Sequence, residues 1–145
     1  MIRLFLISAL FLSPILTPSP WMTNLDNAKQ VAKSEHKLIL LNFSGSDWCI
    51  PCMKLRTDIF NSDAFMQYAK DNLVLLNADF PRKMKDQLTK EQQKENDALA
   101  AKYNPEGRFP FTILLDSNGN KLKVWDGYYS DGPENFVNEI TAVKE

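Results

Sequence analysis

Three short runs constrain this chain most: Leu38-Ile39-Leu40-Leu41, Leu73-Val74-Leu75-Leu76 and Phe111-Thr112-Ile113-Leu114-Leu115. Each reads as a strand, and the first is consistent with one buried on both faces. The first strand is expected over Lys37 to Phe43, the second over Leu73 to Asp79 and the third over Phe109 to Leu115.

The intervening segments supply the helices. Thr23 or Asn24 can cap a helix to about Glu35, with Leu25, Ala28, Val31 and Ala32 on one face. A helix holding Cys52 runs through Lys54, Leu55 and Arg56 toward Phe60. Asn61-Ser62-Asp63 then offers a cap for another helix carrying Phe65, Met66 and Tyr68. Thr89 and Gln92 have capping-box spacing, predicting a helix from about Lys90 to Tyr103 with Ala98, Leu99 and Ala101 available for packing. Asp116-Ser117-Asn118-Gly119-Asn120 is a hairpin turn leading to a strand over Lys121 to Trp125. An amphipathic C-terminal helix carries Phe136, Val137 and Ile140. The class is α/β.

At 145 residues and 44% hydrophobic content the chain can bury a normal core, and one domain is the economical count. The formal net charge of -1, with no Lys/Arg cluster, leaves no electrostatic footprint for nucleic acid. The charges between Phe80 and Lys94 read as a solvated face rather than a binding surface.

Both cysteines fall in Trp48-Cys49-Ile50-Pro51-Cys52, three residues apart, just after the first strand. Residues i and i+3 share a helix face, so a helix starting near Cys49 lets the sulfurs close a small ring. The helix start also favours thiolate at Cys49, the species that attacks disulfides. Pro51 suits a first helical turn. Cys49 is therefore read as the nucleophile and Cys52 as the resolving thiol. Other uses of the pair face obstacles. A disulfide closing four residues contributes about 2 kcal/mol of chain entropy against about 4.7 for a hundred-residue loop, a poor staple. A structural zinc site needs about four ligands, and His36 is the chain's only histidine. Covalent haem attachment requires His after the second Cys, where Met53 stands. A mainly structural pair and a metal site stay open as alternatives; neither a metal nor a cofactor is expected.

Met1-Ile2-Arg3 followed by the apolar Leu4 to Leu16, interrupted by Pro14, has the order of an export signal and is short for a bilayer span. Residues 1–20 are read as a signal peptide or an uncleaved membrane anchor, and 21–145 as the folded domain, placed in the periplasm or otherwise outside the cytoplasm. A buried N-terminal helix is the alternative.

With the strand entering Trp48-Cys49-X-X-Cys52, the Phe109-Pro110 step and the turn at Asp116 to Asn120, the chain resembles the thioredoxin superfamily over residues 23 to 145. Phe43-Ser44-Gly45-Ser46-Asp47-Trp48-Cys49 looks especially like exported bacterial members. The resemblance implies a central mixed sheet flanked by helices, with an added polar helical segment near residues 80–100. It implies a cis peptide bond before Pro110, beside the dithiol, and a substrate groove formed by Trp48, Ile50, Pro51, Phe109 and Pro110. A trans proline and a purely packing Trp48 are the alternatives. It implies thiol-disulfide oxidoreduction on exported protein disulfides, with reduction as the preferred direction and a membrane protein as electron donor. A disulfide-introducing oxidase, an electron carrier for haem-protein maturation and a non-catalytic binding or sensing module are the other readings.

One position departs from the family pattern. Where cytoplasmic thioredoxins carry a buried Asp before the motif, the nearest residue here is Asn42, which cannot act as a general base. Asp47 and Lys54 are closer to the motif but are expected to face solvent.

Overall fold

The apolar runs lie side by side at the centre of one sheet. The computed structural model describes residues 19–144, so the leader reading falls almost entirely outside the described residues. Among these, no helix is long and apolar enough to cross a membrane. The strands are β1 (Trp21–Met22), β2 (Leu38–Ser44), β3 (Leu73–Asp79), β4 (Phe111–Leu115) and β5 (Lys121–Asp126), in spatial order β1-β3-β2-β4-β5. The first three run parallel; β4 is antiparallel to β2, and β5 to β4. The sheet is mixed, as expected.

Successive residues of the central strands feed opposite cores, which explains their unbroken apolar runs. Ile39, Leu41, Phe43, Val74, Leu76, Ile113 and Leu115 pack beneath α1 (Leu25–Glu35) and α4 (Lys90–Tyr103). Leu40, Leu73, Leu75 and Leu114 face α3 (Asp63–Asn72) and α5 (Pro133–Lys144). Phe136 is fully buried there, with Trp125, Tyr129, Phe60 and Phe65 ring centroids 4.6 to 6.0 Å away. Burying a side chain of this size contributes roughly 1.5–3 kcal/mol.

Asn24 and Ser62 cap α1 and α3 through their side chains, and Thr89 caps α4. The helix entered after Cys49 is shorter than expected: α2 spans Ile50–Leu55, and Arg56–Phe60 widens into a π-helical turn that sends Ile59 and Phe60 into the core. Three further expectations are corrected. The third strand starts at Phe111: the Phe109-Pro110 bond before it is cis, and Pro110 has no N–H to give a ladder. Ala98 and Ala101 are exposed; α4 packs through Asn96, Leu99, Ala100 and Tyr103, one helix face set by the hydrogen bond from Asn96 Nδ2 to the Asp79 carbonyl. Strand β1 was not expected, since two residues carry no periodicity. Trp21 fixes it, pairing with Leu75 and packing on Phe60 at 5.2 Å.

Candidate redox site

Strand β2 ends at Ser44 and delivers a short loop to Cys49, the N-cap of α2 with extended backbone (φ -91°, ψ 97°). Pro51 occupies the first turn, where its missing N–H costs nothing. Cys49 and Cys52 are joined by a disulfide with Cα atoms 5.2 Å apart. Cys52 N–H donates to Cys49 Sγ at 3.3 Å. Both cysteines are nearly covered, at 4% and 5% exposure, whereas Ile50 between them is 74% exposed. Pro51 is exposed too. Among the described residues, no group of three or more His, Cys, Asp and Glu side chains is placed to hold a metal ion.

The aromatic wall is built around Trp48. Its indole N–H donates to the Phe80 carbonyl at 2.7 Å, and the Phe109 ring meets it edge-on at 5.4 Å. The Arg82 guanidinium lies 3.7 Å above the indole face. Gly45 makes room: a Cβ there would lie 2.2 Å from Trp48 Cε2. Because Phe43 pairs with Phe111 across β2 and β4, the cis Phe109-Pro110 step falls beside the loop that carries the dithiol. Pro110 is buried and Phe109 half-buried. The structure thus brings Trp48 and Phe109 into contact and leaves Ile50 and Pro51 at the surface.

Asp47 faces solvent as expected, half-exposed in the loop, but its carboxylate is engaged. It accepts from the backbone N–H groups of Arg82 at 3.0 Å and Lys83 at 2.7 Å, which tie the loop after β3 to the motif. These bonds, the Arg82 amide foremost, hold its pKa below the ordinary carboxylate value. Lys54 is exposed, with its ammonium 4.7 Å above the Tyr128 ring. Asn42 is buried in the sheet, donating to Asn77 Oδ1 at 3.3 Å and accepting from Thr112 Oγ1 at 3.1 Å.

Residues overlooked in the sequence lie at the end of β3. Asp79 Oδ1 accepts from Ser46 N–H at 2.8 Å and from Ser44 Oγ at 3.2 Å, and Oδ2 accepts from Ser46 Oγ. Their one signal in the sequence was position: the carboxyl ends of parallel strands are where α/β folds place their sites.

A thioredoxin-like domain model matches residues 25–144, nearly all of the described chain. The chain belongs to the thioredoxin-like family. It is 32% identical over 129 residues to the disulfide bond reductase DsbH of Chlamydia pneumoniae, covering 89% of this chain and 75% of that one. A thioredoxin-related protein of the same organism, DsbJ, is 32% identical over 125 residues, 86% of this chain but only 35% of the relative. The solved structure of a DsbH oxidoreductase superposes with a TM-score of 0.76 at 31% identity, covering 85% of this chain and 82% of that one. This thioredoxin-like chain is a thiol-disulfide oxidoreductase, and Cys49-Ile50-Pro51-Cys52 is its CxxC pair.

Proposed function

We propose that the protein reduces disulfides in exported proteins, with Cys49 as attacking thiol and Cys52 as resolving thiol. The observation that carries the order of attack is the cap. Cys49 sulfur stands at the start of α2 and accepts the Cys52 N–H, so positive helix-end dipoles favour thiolate on Cys49 rather than on Cys52. The Cys49 thiolate attacks one sulfur of a substrate disulfide and forms a mixed disulfide, releasing the first substrate thiol. Cys52 then attacks Cys49 sulfur, closing the pair and releasing the second.

Trp48, Phe109 and Pro110 form the wall against which an extended substrate segment lies, and Ile50 and Pro51 form its exposed floor. The reducing direction is supported by likeness to a relative named as a disulfide bond reductase. The extracytoplasmic setting is supported by the charged, apolar, small-residue order of residues 1–20. Such a reductase requires a donor that keeps the pair reduced, and a membrane electron-transfer protein suits that setting.

Turnover of an insulin-like disulfide with an external dithiol as donor tests this reading. Wild type reduces it, Cys49→Ser abolishes reduction, and Cys52→Ala accumulates mixed disulfides that identify the partners. A reduction potential near about -120 mV, that of a strong oxidant, would overturn the reducing direction in favour of disulfide introduction.

A further inference from the structure

Resolution requires the Cys52 thiol to lose its proton, and the strand residue nearest the family's usual acid is Asn42, whose amide is already bound to Asn77 and Thr112. A different route lies on the other side of Cys52. A cleft of about 130 Å³ is lined by Cys52, Met53, Arg56, Thr57, Ser44 and Ser46. It has room for several waters, each occupying about 30 Å³ of liquid.

The two serines at its edge turn to the same carboxylate. Ser44 Oγ lies 3.2 Å from Asp79 Oδ1 and 3.3 Å from Asn77 Oδ1, and Ser46 Oγ donates to Asp79 Oδ2. A hydroxyl has one proton to give and lone pairs to accept, so each serine can pass a proton inward. Asp79 is itself only half-buried, at the carboxyl end of β3. Two charged groups face this route, Arg56 from the π-helical turn and Asp79 from β3. Asp47 is held by the Arg82 and Lys83 amides and Lys54 lies on Tyr128. Besides Asp79 and Ser44, the side chains in this hydrogen-bonded network from β2, β3, β4 and α4 are the neutral Asn42, Asn77, Thr112 and Asn96.

We propose that Ser44, Ser46 and Asp79 form a proton relay for Cys52. Water in the cleft takes the Cys52 thiol proton and a serine hydroxyl passes it on to the Asp79 carboxylate. The Cys52 thiolate attacks Cys49 sulfur, the Cys49 Cys52 bond forms, and the bond from Cys49 to substrate sulfur breaks. The substrate thiolate leaves and is protonated from solvent; two electrons have moved from the dithiol to the substrate disulfide. Asp79 then returns its proton to solvent. Asp79 and the serines are positioning residues, acting through water rather than on sulfur. The relay rests on Cys52 being the resolving thiol.

The test is a single-turnover reaction of the reduced protein with a symmetrical aromatic disulfide that liberates one coloured thiolate on attack and a second on resolution. In Asp79→Asn the first phase keeps its wild-type rate. The second slows about a hundredfold at neutral pH, the lower end of what a positioned proton acceptor contributes, and recovers at high pH where hydroxide substitutes. Because Asp79 also ties down the loop through Ser46 N–H, the variant carrying both Ser44→Ala and Ser46→Ala removes the two hydroxyls without disturbing that backbone bond and carries the same test; adding Asp79→Asn to it slows resolution no further. Second phases with wild-type rates and pH profiles in both variants would overturn the relay, as would equal slowing of both phases. A wild type that releases only the first thiolate would overturn the assignment of Cys52 itself, and the relay with it.

Discussion

Thr112 donates its hydroxyl proton to Asn42 Oδ1 at 3.1 Å, across directly paired positions of β2 and β4. Asn42 passes the link on to Asn77 of β3, so one polar thread crosses three strands inside an otherwise apolar sheet. A buried polar group left without its partner costs about 1–3 kcal/mol. Asn42→Ala strands the buried Thr112 hydroxyl, while Asn77 Oδ1 keeps its bond from Ser44, and is expected to lower stability by about that amount, measured by urea unfolding. Pairing it with Thr112→Val recovers part of the loss, because the orphaned hydroxyl goes too. A double variant as unstable as the sum of the singles would contradict the coupling.

Gly45→Ala acts on the groove through Trp48. The added methyl overlaps the indole at 2.2 Å, and the ring is pinned by its bond to the Phe80 carbonyl, by Phe109 and by Arg82. Relieving the overlap breaks the indole bond and displaces the wall beside Cys49. The expected cost is about 1–3 kcal/mol of stability from overpacking and up to about a hundredfold in kcat/KM from misplacement. Tryptophan fluorescence and disulfide turnover measure the two effects; unchanged turnover would remove Trp48 from the groove.

Glu139 of α5 gathers the Lys123 ammonium at 2.9 Å, the Trp125 indole N–H and the Tyr129 hydroxyl. These partners, Lys123 foremost, hold its pKa below the ordinary glutamate value of 4.5. A carboxylate depressed in the fold adds stability above its unfolded pKa and loses it as the pH falls through the folded value. Glu139→Gln is expected to melt earlier than wild type at neutral pH, and the two proteins converge as the pH drops below 4.5. Melting curves across that window check it; a gap independent of pH would show that packing, not charge, is responsible.

The central strands and most helix ends were legible because period and capping are local. Leu73–Asp79 and Lys90–Tyr103 match the expected bounds, and Cys49 and Cys52 announced the site by spacing alone. What escaped was set by tertiary contact. Strand β1 exists because Trp21 meets Phe60, and α4 chose Asn96 over Ala98 because the Asp79 carbonyl awaited a donor. The Asp79 cluster joins residues more than thirty positions apart, and Arg82 reaches Trp48 only because Asp47 holds its backbone. Such partnerships leave no periodic trace.

The disulfide closes within a single capped turn, between an N-cap residue and the helix it begins. Opening it frees no long loop, because the two cysteines stay three residues apart in one turn. On the proposed function, donor and acceptor would meet the same surface and be told apart by the chemical state of two sulfur atoms rather than by outline. Partners would then compete for a single doorway and have to leave it promptly, and traffic at Trp48 and Ile50, as much as chemistry at sulfur, would set the flux.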